Sequence, residues 1–379
     1  MTNNSAIRIF VDAHVFDGEF QGTRTFIKGI YTILARKEHV ELYMGAHNIA
    51  NLKKDFSDLG IVHFVQYKSA SSLKRLFYEI PAIIRKYDIH YAHFQYISPL
   101  QKSCKFIVTI HDLLFLDYPG EFPFLYRLPR SSIFRISAIR ADIVTTVSKY
   151  SRCSIQKHFG INTDNIYITP NAVSVNFFEP YDKLASQKFI HQKYGFDKFL
   201  LYVSRIEPRK NHIVLVKAFV ELKLYEQGLY LVLIGHKSIV VSELDDMFNK
   251  LPENIKQFII VIHEINDEDL LEFYRGAKIF IYPSKAEGFG IPPLEAAALK
   301  IPVICSNTSA MSDFSFFGDS LIDPGNYEAF RNKLSDMLRR PPDQHDLKNI
   351  ADSIQREYSW EVSAEKLYEA IKNDTSNAF

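Results

Sequence analysis

The chain has 379 residues, more than one ordinary hydrophobic core organises and enough for two domains. A hydrophobic share of 47% with 23% charged residues excludes a disordered chain, and a net charge of +1 argues against a general nucleic-acid binder. Cys104, Cys153 and Cys305 are odd in number and far apart, so they form neither a disulfide framework nor a metal spacing, which fits a reducing cytosol.

Met1 to Phe10 include no apolar signal core, and no apolar run approaches the roughly twenty residues that span a bilayer, so any membrane contact is expected to be peripheral. Arg8 to Ala13 reads as a first buried strand. The stretch from Phe16 through Gly22 to Arg24 follows, then Phe26, Ile27, Ile30, Tyr31 and Leu34 at helical spacing. Gly22 taken alone is a plain turn glycine. Val40 to Met44, Ile61 to Tyr67, Tyr91 to Tyr96 and Phe106 to Ile110 read as further strands, with apolar and basic residues at helical spacing from Leu73 to Tyr87. This succession argues for a parallel, doubly wound sheet. His111 closes the strand Phe106 to Ile110, where α/β domains place chemistry, although a lone histidine is more often structural. Arg127, Arg130, Arg135 and Arg140 lie among apolar residues between Tyr126 and Arg140. A solvated basic helix face is the preferred reading there, ahead of a surface for a lipid-linked acceptor at an anionic membrane. Ala141 to Ser148 and Asn165 to Asn171 read as strands, with Ser148 or Ser151 capping the helix between them. Residues 174–197 are polar, carry no apolar period until Phe189, and take the domain boundary.

The second half opens with the strand Phe199 to Ser204. Arg205 and Lys210 bracket the following loop, five residues apart, before a helix carrying Leu215, Ala218, Phe219 and Leu222. Two cations at a helix start suit a diphosphate, whereas the plain alternative is a basic surface loop. Arg209 is a surplus cation beside them. Leu229 to Gly235, Phe258 to Ile262 and Lys278 to Ser284 read as strands. Then comes Glu287-Gly288-Phe289-Gly290-Ile291-Pro292-Pro293-Leu294-Glu295. The two glycines let the backbone approach a ligand, and either proline suits a first helical turn. Glu287 falls on the loop and Glu295 in the first or second turn. Taken singly, Glu287 fits a solvated loop and Glu295 a dipole-favoured glutamate. Pro302 to Asn307 and Ser320 to Gly325 are strand-turn units, and Tyr358-Ser359-Trp360 opens the last helix.

The string from Glu287 to Glu295 resembles the E-x7-E motif of retaining glycosyltransferases with the GT-B fold, in particular glycosyltransferase family 4 (glycosyl transferases group 1). Arg205 and Lys210 resemble its R-x4-K pattern, with Asn211 where glycine is common. Thr109 to Leu114, Ile168 to Val173 and Tyr358 to Trp360 resemble further family segments. The resemblance implies an α/β fold of two Rossmann-like domains with parallel sheets facing across a cleft. Residues 1–180 would form an acceptor-binding domain and 190–355 a nucleotide-sugar-binding domain. Residues 356–379 would form a helix crossing back to the first. It implies catalytic roles for Glu287, Arg205, Lys210 and His111, the last as a sugar ligand and not a proton shuttle. Gly22 would face the donor, the cations would hold the diphosphate, and Glu264 and Ile265 would cradle the base. Gly288, Phe289, Gly290 and Ile291 would hold sugar hydroxyls through their amides, and Glu295 the ribose. The implied activity is metal-independent hexosyl transfer without a cofactor, to a polysaccharide or lipid-linked oligosaccharide, in the cytoplasm or at the inner face of the membrane. UDP-glucose is the expected donor. The alternatives are a GDP-mannose-dependent mannosyltransferase and a catalytically silent subunit that only binds nucleotide sugar.

Overall fold

Short runs of Ile, Val, Phe and Leu become buried strands here because a parallel sheet is covered on both faces. The computed structural model describes residues 6–18, 22–237 and 241–376. The chain divides into two compact units, Met1–Ala172 with Trp360–Phe379, and Val173–Ser359.

The first unit holds β1 (Ile7–Asp12), β2 (Val40–Ala46), β3 (Val62–Gln66), β4 (Tyr91–Gln95), β5 (Lys105–Thr109), β6 (Ile143–Thr146) and β7 (Ile166–Ile168). The second holds β8 (Phe199–Val203), β9 (Tyr230–Ile234), β10 (Ile259–Ile262), β11 (Ile279–Tyr282), β12 (Val303–Ser306) and β13 (Leu321–Ile322). Their orders are β3-β2-β1-β4-β5-β6-β7 and β10-β9-β8-β11-β12-β13. All pairings are parallel. This is the expected pair of Rossmann-like sheets. Each order reverses once, between β1 and β4 and between β8 and β11. At such a reversal the loops leave in opposite directions and open a crevice outside the carboxyl ends of the strands.

In the first unit, the helical segments Ile80–Lys86, Phe124–Arg140 and Lys149–Phe159 share one core cluster with Phe94, Phe106 and Val108 of the sheet. Ser148 caps the last of these helices by accepting from the Ser151 amide, and Gly160 ends it in the left-handed region.

The stretch expected to link the domains is instead part of the second unit, which begins at Val173. Lys183–Tyr194 is a helix that buries only Ser186 and Ile190, so its sequence shows no apolar stripe. It is held by its ends and its polar contacts. Asp182 accepts from the Leu184 amide, and Gly195 takes φ 88°. Lys183 Nζ donates to the Ala277 carbonyl at 2.7 Å, and Lys193 pairs with Asp269 at 2.6 Å.

The final helix, Trp360–Ser376, belongs to the first unit and packs on the helix Gly22–Leu34. The contact requires a missing side chain: a Cβ on Gly29 would stand 2.0 Å from the Trp360 ring. Ser363 Oγ donates to the Pro170 carbonyl, and Lys37 pairs with Glu365 at 2.6 Å. Gly29→Ala should therefore destabilise the first unit by about 1–3 kcal/mol through overpacking. Gly120→Ala, whose Cβ meets open space, should not. Denaturant unfolding of both variants checks this.

Candidate functional site

Lys210 and Glu287 are 77 residues apart in sequence but share one ion pair, because β8 and β11 are neighbours at the reversal of the second sheet. After β8 the chain runs through Arg205, turns over Pro208–Lys210, and enters the helix His212–Glu221. After β11 it passes Pro283 and Ser284 to Glu287. Lys210 Nζ meets Glu287 Oε1 at 2.5 Å, and Arg209 meets Oε2 at 3.2 Å. Ser284 Oγ and the Tyr282 hydroxyl donate to Oε1 at 2.6 and 3.0 Å. The Glu287 amide donates to Ser309 Oγ at 2.8 Å. Lys210 is 6% exposed and Glu287 8%. Burial alone would push the Glu287 carboxyl up, but the Lys210 ammonium and the Arg209 guanidinium outweigh it and hold the group at about 2.

The structure separates the two cations that the sequence treats alike. Lys210 is buried in the pair, which corrects the reading of a basic surface loop. Arg205 is exposed, outside the cluster, and its guanidinium has no partner among the described residues. Arg209, read as surplus, joins the cluster and also binds Glu207 at 2.9 Å and the Ala286 carbonyl at 2.8 Å. Asn211 takes φ 57°, a left-handed conformation that asparagine tolerates, and its Nδ2 donates to the carbonyls of Pro283 and Pro324, both at 3.2 Å. Sequence reasoning set Arg209 aside as surplus and gave Tyr282, Ser284 and Ser309 no role. Only the adjacency of Arg209 to Lys210 offered a signal.

Gly290 takes φ 96° and caps the helix Ile291–Ala298. A Cβ there would meet Met311 Cγ at 3.2 Å. Pro292 and Pro293 remove two N–H groups from the first turn. The amides of Phe289, Gly290 and Ile291 have no acceptor among the described residues. The Phe289 ring itself is core, against Phe314 and Tyr358 at 5.9 and 5.7 Å. Gly288 precedes them, half-buried. Glu295 lies one turn into the helix, where it accepts from the Tyr274 hydroxyl at 2.7 Å and is partly buried. Desolvation pushes its carboxyl up to about 7. Glu264 is exposed and Ile265 half-buried, on the loop after β10, apart from the Glu287 cluster but also at the carboxyl edge of the sheet.

Two candidates belong to the first unit. Gly22 begins the helix Gly22–Leu34 and is exposed, while Glu19 to Gln21 before it lie outside the described residues. His111 is buried against Phe26 and Tyr96, with ring centroids 4.9 and 5.4 Å away. Its Nε2 meets Gln95 Oε1 at 2.7 Å, in a buried chain that continues through His93 to Tyr31. With Gln95 Oε1 accepting, Nε2 carries the proton and Nδ1 is the acceptor of the ring. Burial lowers the pKa of His111 to about 4, so the ring is neutral at physiological pH.

Against known proteins, the model of Glycosyltransferase Family 4 matches residues 31–177 and that of Glycosyl transferases group 1 matches residues 185–353. This chain belongs to glycosyltransferase family 4. It is a glycosyltransferase with the GT-B fold. O-antigen chain mannosyltransferase B of Escherichia coli is 27% identical over 295 residues, 76% of this chain and 74% of that protein. The serotype-specific mannosyltransferase WbdA of Escherichia coli is 26% identical over 229 residues, 59% of this chain but 28% of that longer protein. Sucrose-phosphate synthase of Thermosynechococcus elongatus superposes with a TM-score of 0.77 at 17% identity, covering 98% of this chain and all of that one. Anabaena HepE, solved with UDP-glucose, superposes with a TM-score of 0.71 at 14% identity, covering 97% and 99% of the two chains. Both structures share the fold of this glycosyltransferase.

Two predictions follow from the charges. Lys210→Ala strands the Glu287 carboxylate beside one remaining cation and should cost about 3–5 kcal/mol of stability. Arg205→Ala should change it by no more than about 0.5 kcal/mol. Chemical unfolding distinguishes the two. For Glu295, the folded pKa of about 7 lies above the ordinary 4.5, so folding is favoured by a proton. That stabilisation is full below the unfolded value and is lost as pH rises through about 7. The stability of the wild type relative to Glu295→Gln should therefore fall between pH 4.5 and pH 8, as read by paired melting curves.

Proposed function

We propose that this glycosyltransferase moves a hexose from a nucleoside diphosphate sugar to a growing polysaccharide or lipid-linked oligosaccharide, with retention and without a metal ion. One observation carries the reading. Two cations, Lys210 and Arg209, and a deprotonated glutamate meet at the β8–β11 reversal, and exposed Arg205 stands on the same loop without a side-chain partner among the described residues.

The donor diphosphate lies along the Arg205–Lys210 loop. As the bond from the anomeric carbon to the phosphate oxygen breaks, negative charge grows on that oxygen. A fixed cation stabilises that charge more than it stabilises the ground state. Arg205 is available at once, and Lys210 exchanges Glu287 for a phosphate oxygen. Glu287, held near 2, stays ionised at physiological pH. It therefore accepts from sugar hydroxyls and does not donate a proton, unlike the raised-pKa acid of a glycosidase. The acceptor hydroxyl attacks the anomeric carbon from the face the phosphate leaves, and that phosphate takes its proton. Retention then needs no carboxylate nucleophile.

The amides of Gly288, Phe289, Gly290 and Ile291 bind sugar oxygens, and Glu295 binds the ribose. The Glu264–Ile265 backbone meets the base. Gly22 allows close approach of the donor, and neutral His111 offers Nδ1 to a saccharide hydroxyl. The second unit is assigned to the donor and the first to the acceptor.

GDP-mannose is favoured as donor by the names of the two Escherichia coli relatives, both mannosyltransferases. UDP-glucose, the donor expected from the sequence, is the second reading, favoured by the HepE complex. Release of nucleoside diphosphate from each donor, with EDTA or with Mg²⁺, tests both. Turnover should persist in EDTA. Arg205→Ala should lose roughly 2–4 kcal/mol of transition-state stabilisation with an unchanged melting curve. Metal-dependent turnover, or a fully active Arg205→Ala, would overturn the mechanism. Binding without turnover would leave the silent-subunit reading.

A further inference from the structure

The outward face of a surface helix is ordinarily polar. On Phe124–Arg140 it is apolar. Leu125 is 82% exposed, and Leu128, Ile133, Ile136 and Ile139 are exposed with it, while Phe134, Ser137 and Ala138 face the core. At 100° per residue, Leu125, Leu128, Ile136 and Ile139 fall within a sector of about 80° opposite Phe134. Exposed Arg135 and Arg140 flank that sector on either side. The expected solvated basic face is thus a greasy stripe with a cationic border. Arg127 and Arg130 lie over the rings of Phe124 and Tyr126, at 5.5 and 3.7 Å from their centroids. The helix has four arginines and no acidic residue, in a chain whose net charge is only +1. A second helical segment packed on the same core adds exposed Leu73, Phe77 and Tyr78 beside exposed Lys74, while Arg75 there is paired with buried Asp12.

We infer that the Phe124–Arg140 face of the first unit docks on an anionic lipid surface. The stripe enters the headgroup region and the arginines meet lipid phosphates. A second copy of the chain fits less well, because a two-fold contact through this face sets the same arginines against each other. No helix among the described residues is long and apolar enough to cross a membrane, so the contact lies in the interface. The inference is independent of the donor site.

Flotation of the full chain with vesicles tests it. Vesicles of phosphatidylcholine with phosphatidylglycerol should carry the protein, and phosphatidylcholine alone should not, with binding falling as salt rises. Leu125→Glu combined with Ile136→Glu should abolish flotation while leaving the melting curve and donor turnover unchanged. Arg135→Gln should weaken binding by about fivefold, as expected for one interfacial charge. Equal binding to both vesicle types, or flotation retained by the double variant, would overturn the inference. Self-association that the double variant removes, without vesicle binding, would assign the face to a second copy.

Discussion

The Lys210–Glu287 ion pair is the interaction on which the candidate site in the second unit depends. Two charges taken from water are tolerable only with good geometry and further hydrogen bonds, and removing one partner leaves a stranded charge. Here Arg209, Ser284 and Tyr282 supply those bonds. The arrangement needs two loops far apart in sequence to meet, and the β8–β11 neighbourhood makes them meet. Strand order and site chemistry are therefore one constraint. A sheet that placed another strand beside β8 would leave both charges without a partner.

The loops around the pair are set by backbone conformations that few residues accept. Asn211, Gly290 and Ser309 all have positive φ. Asn211 does more than a glycine would, since its side chain ties the loops after β11 and β13 to the turn that presents Lys210. Ser309 fixes the Glu287 amide. The carboxylate is thus oriented through its side chain and its backbone together, before any ligand arrives.

The strands among the described residues were legible because most of them are buried on both faces and read as apolar runs, while β3, β10 and β13 are only partly covered. Lys183–Tyr194 was not, because a helix held by caps and polar contacts shows no stripe. At the site, residue types and spacing were legible and environments were not. Arg205 and Lys210 look alike in sequence, yet one is solvated and the other is buried against a carboxylate. Glu287 and Glu295 are pushed to opposite sides of the ordinary carboxylate value by surroundings that only folding assembles. The Phe124–Arg140 helix shows the same limit. Its arginines announced a polar face, but which side of the helix met the core decided that the exposed side was apolar.

The helix Trp360–Ser376 returns to the first unit after the chain has built the second. The second unit is thus one continuous stretch, inserted into a first unit assembled from residues on both sides of it. On the ribosome, the groove at Gly29 stays uncovered until the whole of the second unit has been made, because Trp360, which fills it, follows that unit in the chain. A nascent chain stalled in the second unit would carry an exposed apolar groove for chaperones to find. A chain released short of that helix would have its second unit complete and its first unit unsealed.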